Sequence, residues 1–126
     1  MPTVFLYVVW KRVLALSKHI LGDFEQIVLL AVHQQHGTGY SVSIADEVEK
    51  RAGWSISLGA VYATLDRLEK KGFVISRLGD PTPERGGRPK RFYEMKAPGI
   101  LALSQAWEAN RRRWANAEAL LIGARA

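Results

Sequence analysis

Residues 57–72, SLGAVYATLDRLEKKG, constrain the fold more than any other stretch of this 126-residue chain. Ser57 is a good helix N-cap, because its hydroxyl oxygen can accept an orphan amide hydrogen of the first turn. Leu58, Val61, Leu65 and Leu68 recur at spacings of three and four, an apolar stripe that must face a core. Gly72 closes the helix after Lys70 and Lys71, cations that suit a helix C-terminus. The outward and flanking positions are Gly59, Ala60, Tyr62, Ala63, Asp66, Arg67 and Lys70. The small residues among them let another surface come close to the helix backbone.

The neighbouring segments fall into place around this helix. Phe24, Ile27, Val28 and Ala31 form one face of an earlier helix that ends at HQQHGTG. A second helix is predicted over Ser41 to Ala52, with Ile44, Val48 and Ala52 four apart, and Gly53 stops it. WSIS then reads as a short extended piece with Trp54 and Ile56 pointing one way. FVISRL and KRFYEMK read as two strands joined by GDPTPERGGRP, about eleven residues, which is long for a hairpin. In PERGGRPKRFY, residues 83–93, two prolines and two adjacent glycines keep the chain out of any helix while Arg85, Arg88, Lys90 and Arg91 crowd it with charge. Length of this kind usually marks function. From residue 99 a long C-terminal helix is predicted, with Ile100, Leu103, Trp107, Asn110, Trp114, Ala117 and Leu121 on a heptad seam suited to a second copy of the chain. Residues 1–20 mix β-branched and aromatic residues with helical spacing and read as an extension that forms an extra helix.

Composition narrows the partners. The formal net charge is +6 and there is no cysteine, which excludes disulfides and thiolate metal sites and favours polyanions. Cations concentrate near the start and in the long loop, while residues 21–56 are acidic. The longest apolar run, Val4 to Trp10, is far short of the roughly 20 residues of a spanning helix. Lys11 and Arg12 follow that run rather than precede it, unlike a signal peptide. The expected location is therefore the cytoplasm, with no membrane partner. His19, His33 and His36 lack the spacing of a metal site, and no nucleophile elbow, phosphate loop or carboxylate pair is present. No catalytic residue, metal or cofactor is expected.

Three helices, a two-stranded ribbon with a basic tip and a further helix are the order of a winged helix-turn-helix. The expected fold class is mainly α with a small β-hairpin: an extension over 1–20, a DNA-binding domain over 21–98 and a C-terminal dimerisation helix over 99–126. In this arrangement the third helix enters the major groove and the wing reaches phosphates or the minor groove. Tyr62 can meet a phosphate, Arg67 a phosphate or a guanine, and Asp66 should pair with Arg67, Lys70 or a wing cation.

LGDFEQIVLLAV, SLGAVYATLDRLEKKGFV and ERGGRPKRFYEM, in this order and spacing, resemble the PadR-like transcriptional regulators over residues 21 to about 99. The resemblance implies a cytoplasmic, homodimeric, double-stranded-DNA-binding protein, usually an effector-responsive repressor, with Tyr62 and the wing from Arg85 to Arg91 on the DNA backbone. Phe92-Tyr93 and MKAPG depart from the family's tyrosine pair and its following turn. The expected DNA-contacting set is Ser57, Gly59, Ala60, Tyr62, Ala63, Arg67, Lys70, Arg85, Arg88, Lys90 and Arg91. The expected dimer contacts are Ile100, Leu103, Trp107, Trp114, Ala117 and Leu121. Trp107 and Trp114, with Arg111 beside them, are also candidates for stacking a planar or anionic effector. The rival reading is a winged-helix module that holds a protein rather than DNA, with Gly59, Tyr62 and Ala63 as its docking patch. A third is membrane association through Val4 to Trp10.

Overall fold

The computed structural model describes residues 21–81 and 86–125, and the readings made for residues 1–20 and for Arg85 lie outside them. Helix α1 spans Asp23–Gln34, strand β1 Gly39–Tyr40, α2 Ser41–Ala52 and α3 Leu58–Lys70. Strands β2 (Val74–Pro81) and β3 (Pro89–Met95) follow, then α4 (Ala97–Arg113) and α5 (Glu118–Arg125). The sheet is antiparallel in the order β1-β3-β2.

The core is where the three amphipathic helices turn inward onto the sheet. Val28, Leu29 and Val32 of α1, Ile44 and Val48 of α2, and Val61, Leu65 and Leu68 of α3 are all fully buried. Val74 and Tyr93 close it from the sheet side and Ala102 from α4. Each such aliphatic side chain contributes on the order of 1.5–3 kcal/mol of burial free energy. A partly buried ion pair ties the first helix to the end of the third: Lys71 Nζ lies 2.7 Å from Glu25 Oε2, and Glu25 Oε1 accepts the Gly22 amide at 3.0 Å. Both oxygens of this largely buried carboxylate are thereby satisfied, as burial of a charge demands.

Several sequence expectations change in detail. On α1, Phe24 and Ile27 only flank the core, and Leu29 and Val32 take the central positions. On α3, Leu58 is exposed and Thr64 is buried in its stead. The first residue of a helix extends past the elements that cover its later turns, so the stripe rotates onto Thr64. WSIS is not a strand; its amide at Ile56 donates instead to Glu49 Oε1 at 3.1 Å, Ile56 packs inward and Trp54 points to solvent. The extra strand is Gly39–Tyr40, paired with Tyr93 and Phe92 of β3. The hairpin strands also run further than expected, β2 reaching Pro81 and β3 starting at Pro89. A register shift between Leu78 and Pro81 places a bulge on β2 just below the tip, which bends the wing.

The predicted single C-terminal helix is two. Helix α4 begins at Ala97, with Pro98 in the first turn where its missing N–H costs nothing. It ends at Trp114, and Asn116 adopts a left-handed φ of 63° before α5 starts. Asparagine tolerates that conformation better than most residues, and three arginines in the last turn of α4 suit a helix C-terminus. The heptad seam is therefore not carried by one straight helix: Ala117 and Leu121 lie beyond the break.

The end of α3 fixes how the wing and α4 attach. The Gly72 amide donates to the Glu69 carbonyl at 3.0 Å and the Phe73 amide to the Leu68 carbonyl at 2.9 Å. This is a Schellman termination with Gly72 at φ 80° and the Leu68–Phe73 apolar pair buried beside it. The Phe73 carbonyl then accepts the Lys96 amide at 2.9 Å. A Cβ added at Gly99 would run into that same carbonyl and into Met95, whereas one added at Gly72 would meet nothing within 4 Å. Gly72→Ala should therefore cost only its backbone strain, ~1 kcal/mol. Gly99→Ala should cost more, ~1–3 kcal/mol, by forcing α4 off the sheet. Urea unfolding of both variants checks the order, and equal destabilisation would contradict the close approach.

Candidate nucleic-acid interface

The outward face of α3 is built as its sequence requires. The Ser57 hydroxyl oxygen accepts the Ala60 amide at 3.1 Å, so this residue serves as the cap. Gly59, Ala60 and Ala63 are exposed, and nothing stands within 4 Å of where a Gly59 Cβ would be. Tyr62 is 48% exposed between them. One turn further, Asp66 Oδ2 pairs with Lys70 Nζ at 2.9 Å, which removes the awkward isolated carboxylate. Arg67 Nη2 donates to the Thr64 hydroxyl at 3.1 Å and stays on the surface.

The wing stands beside this face and is fastened to it. Glu69 Oε2 accepts both the Ser76 amide at 3.1 Å and the Ser76 hydroxyl at 2.6 Å. Arg91 Nη1 in turn donates to the Ser76 hydroxyl oxygen at 3.0 Å. Lys90 sits 4.2 Å from the centroid of the Tyr40 ring, and Tyr40 meets Phe92 edge to face. Lys90 and Arg91 are thus strand residues whose heads are held near the wing base. Arg88, at the tip, is exposed and makes no ion pair with a described residue. Gly86 and Gly87 beside it both have positive φ, which fits a tight turn there.

Between α3 and the wing lies a cleft of about 290 Å³, lined by Tyr40, Tyr62, Asp66, Leu78, Arg91 and Tyr93 among others. It brings the predicted Tyr62 and Arg91 to one place. Burial, and secondarily the Glu69 carboxylate, push the Tyr93 hydroxyl above its ordinary value of 10.0, so it remains protonated at neutral pH. Two exposed residues of this region were not expected from the sequence. Leu78 is 58% exposed on β2, and Arg77 crosses from β2 to donate to the Gly37 carbonyl at 3.3 Å while stacking 5.0 Å from the Phe92 ring. The alternation of FVISRL was the available signal for Arg77, which lies two positions from the exposed Ile75.

On the C-terminal side, Ile100, Trp107 and Trp114 are exposed at heptad spacing, whereas Leu103 packs on the core. Arg111 is committed locally: its Nη2 lies 3.0 Å from Glu108 Oε2 and its guanidinium 5.6 Å from the Trp107 ring. A second cleft of about 300 Å³ separates α4 from the start of α1, lined by Leu21, Gln26, Gln105, Asn110 and Arg113 among others. Neither polar atom of the buried Gln105 amide makes a hydrogen bond to a described residue. Trp107 and Trp114 do not line it. Among the described residues, no three His, Asp or Glu side chains cluster as metal ligands, and no helix is long and apolar enough to cross a membrane.

Comparisons with known proteins agree with this architecture. A PadR-like transcription factor from Bacteroides fragilis superposes with a TM-score of 0.63 at 19% identity, over 76% of this chain and 87% of that one. A PadR family transcriptional regulator from Eggerthella lenta gives 0.57 at 20% identity, over 95% and 96%. RosR of H. salinarum gives 0.60 at 24% identity, over 76% and 79%. These likenesses establish the winged helix-turn-helix fold. Comparison with curated proteins gave no match. The model of the transcriptional regulator PadR-like family matches residues 28–105, which runs from α1 through the wing into α4 and covers more than half of the chain. The protein belongs to the PadR-like family of transcriptional regulators.

Proposed function

We propose that the protein is a sequence-specific, homodimeric repressor that acts in the cytoplasm on double-stranded DNA and responds to a small-molecule effector. The observation that carries the DNA reading is the outward face of α3, small and open at Gly59 and Ala63, with the wing fastened beside it through Glu69 and Ser76. A helix of this kind can enter a major groove while Arg88 and its neighbours follow the phosphates. Tyr62, Arg67 and Lys70 flank the entry and suit backbone contacts. On this reading Arg85, Lys90 and Arg91 complete the positive rim.

The dimer reading is supported by Ile100, Trp107 and Trp114, which are 52%, 62% and 57% exposed. A ridge of that size on a soluble protein calls for a partner. Residues 99–126 are on this reading the dimerisation segment and residues 21–98 the DNA-binding domain. Trp107 and Trp114 can stack a planar effector in the seam, and the cleft at Gln105 offers unpaired polar atoms nearby in sequence. Two copies related by a two-fold axis would read a near-palindrome with half-sites about one helical turn apart.

Three variants test this. Arg88→Ala should weaken binding to all duplexes and lower the slope of log affinity against log salt by about 0.9 for each phosphate it no longer neutralises, as measured by anisotropy titrations at several salt concentrations. Gly59→Ala should raise folding stability by about 0.5–1 kcal/mol, since alanine is the better helix former. The same change should weaken specific DNA binding about tenfold, ~1.4 kcal/mol, because the added methyl holds the helix off the groove. Trp107→Glu should give a monomer in sedimentation and abolish high-affinity binding to a palindrome. A protein that shows no sequence preference at any salt concentration would instead be a docking module for another protein.

A further inference from the structure

The half of α3 that enters a groove carries no Arg, Lys, Asn, Gln, Asp or Glu, and its one exposed hydroxyl, on Tyr62, can make only single hydrogen bonds. Its exposed residues are Leu58, Gly59, Ala60, Tyr62 and Ala63, with Leu58 41% and Tyr62 48% accessible. The side chains that recognise base edges by paired hydrogen bonds are Arg or Lys for guanine, Asn or Gln for adenine, and Asp or Glu for cytosine. None stands among these five. Ser57 is occupied as the cap, its oxygen taking the Ala60 amide. The first charged residue, Asp66, lies seven positions from Gly59, ~10 Å along the axis, and Lys70 ~16 Å, and these two are paired with each other. Arg67 lies ~12 Å from Gly59 and is tied to Thr64. With a groove about 8.5 Å deep and about 12 Å wide, groups that far along the helix emerge at the level of the phosphates.

What remains at the groove floor is aliphatic surface: the Leu58 isobutyl group and the methyl groups of Ala60 and Ala63, with Gly59 allowing the backbone to sit close. The base feature that complements such a surface is the thymine 5-methyl group.

We propose that this protein recognises its operator chiefly through thymine methyl groups packed against Leu58, Ala60 and Ala63. The half-site beneath the start of α3 is accordingly thymine-bearing, and its hydrogen-bonding edges are left to water. This rests on the DNA-binding reading above and sharpens it to a class of sequence. Leu58 then has a role that its exposure alone leaves unexplained. It is a large apolar side chain turned away from the core at the end of the helix nearest the bases.

The experiment uses the full chain and duplexes enriched from a pool with a randomised centre of about 24 base pairs, enough for two half-sites one turn apart. The best enriched duplex is resynthesised with deoxyuridine replacing thymidine, first within the half-sites and then only in the flanks. Uracil keeps every hydrogen-bonding group of thymine and lacks the methyl. Affinity should fall about fourfold for each contacted methyl removed from a half-site and stay unchanged for flank replacements. In Leu58→Ala the penalty for uracil should shrink while the salt slope stays that of the wild type. If enrichment gives a clear motif that binds equally well with uracil, thymine-methyl recognition is wrong and the DNA-binding reading stands. If enrichment yields no motif, the DNA-binding reading itself fails and this inference with it.

Discussion

The peptide of Phe73 holds the working parts of this molecule in one frame. Its N–H terminates α3 by bonding to the Leu68 carbonyl, and its C=O accepts the Lys96 amide at the entry to α4. Gly99 packs its bare Cα against the same carbonyl. The Phe73 side chain enters the core, and the next residue begins β2. Helix α3, the wing and α4 thus meet at a single residue, and none can turn without straining the others. Buried backbone groups must be paired, so this junction tolerates little rearrangement. The Glu25–Lys71 pair braces it from the α1 side, two residues before Phe73.

Fastened this way, the positive residues divide into two kinds. Arg91 and Lys90 are held, the first through Ser76 to Glu69 and the second over Tyr40. Their charges are presented from fixed positions and lose little side-chain entropy on meeting a phosphate. Arg88 makes no ion pair among the described residues and stands at the end of a bulged ribbon, beside two glycines in left-handed conformations. Ordering it on a polyanion costs more, about 1–2 kcal/mol of side-chain entropy at most, and in exchange its reach is greater. On the proposed reading, a tethered base and an exposed cation at the tip would let this wing follow the backbone of duplexes that differ in local shape.

Much of this was legible in the sequence, and the rest was hidden for identifiable reasons. Ser57, the stripe from Val61 to Leu68, and Gly72 announced α3 because cap, periodicity and stop all act within one helix. The small outward residues at Gly59 and Ala63 were readable for the same reason. Leu58 was misassigned and Thr64 passed over because hydropathy says which residues prefer burial but not where the covering elements end. Strand β1 is two residues long and owes its existence to β3, about fifty positions away, so no local pattern could reveal it. The break lies inside an unbroken heptad spacing, and a short turn over residues 114–117, with Asn116 left-handed, interrupts it. Glu25 and Lys71 are each ordinary in sequence; their pairing is a product of the fold. The tether from Glu69 through Ser76 to Arg91 was invisible for that reason too.

The division between local and long-range information bears on how the two ends of the molecule would communicate if the protein responds to an effector as proposed. In a pair joined through α4, the separation of the two α3 faces depends on how the α4 helices cross, because each α3 is locked to its own α4 at Phe73. A ligand that altered the crossing would not need to touch the reading surface. It would move two rigid heads relative to a duplex whose half-sites are fixed about one turn apart. On the proposed reading, the residues best placed to alter the crossing are on α4 itself: the exposed Trp107 on one side, and Gln105, whose amide makes no hydrogen bond to a described residue, on the other. An unpaired buried amide is costly to leave so, and filling its hydrogen bonds would stabilise whichever crossing brings partner groups to it. On the proposed reading, the surface that would sense and the surface that would read are separate, and the stiffness of one peptide junction would connect them.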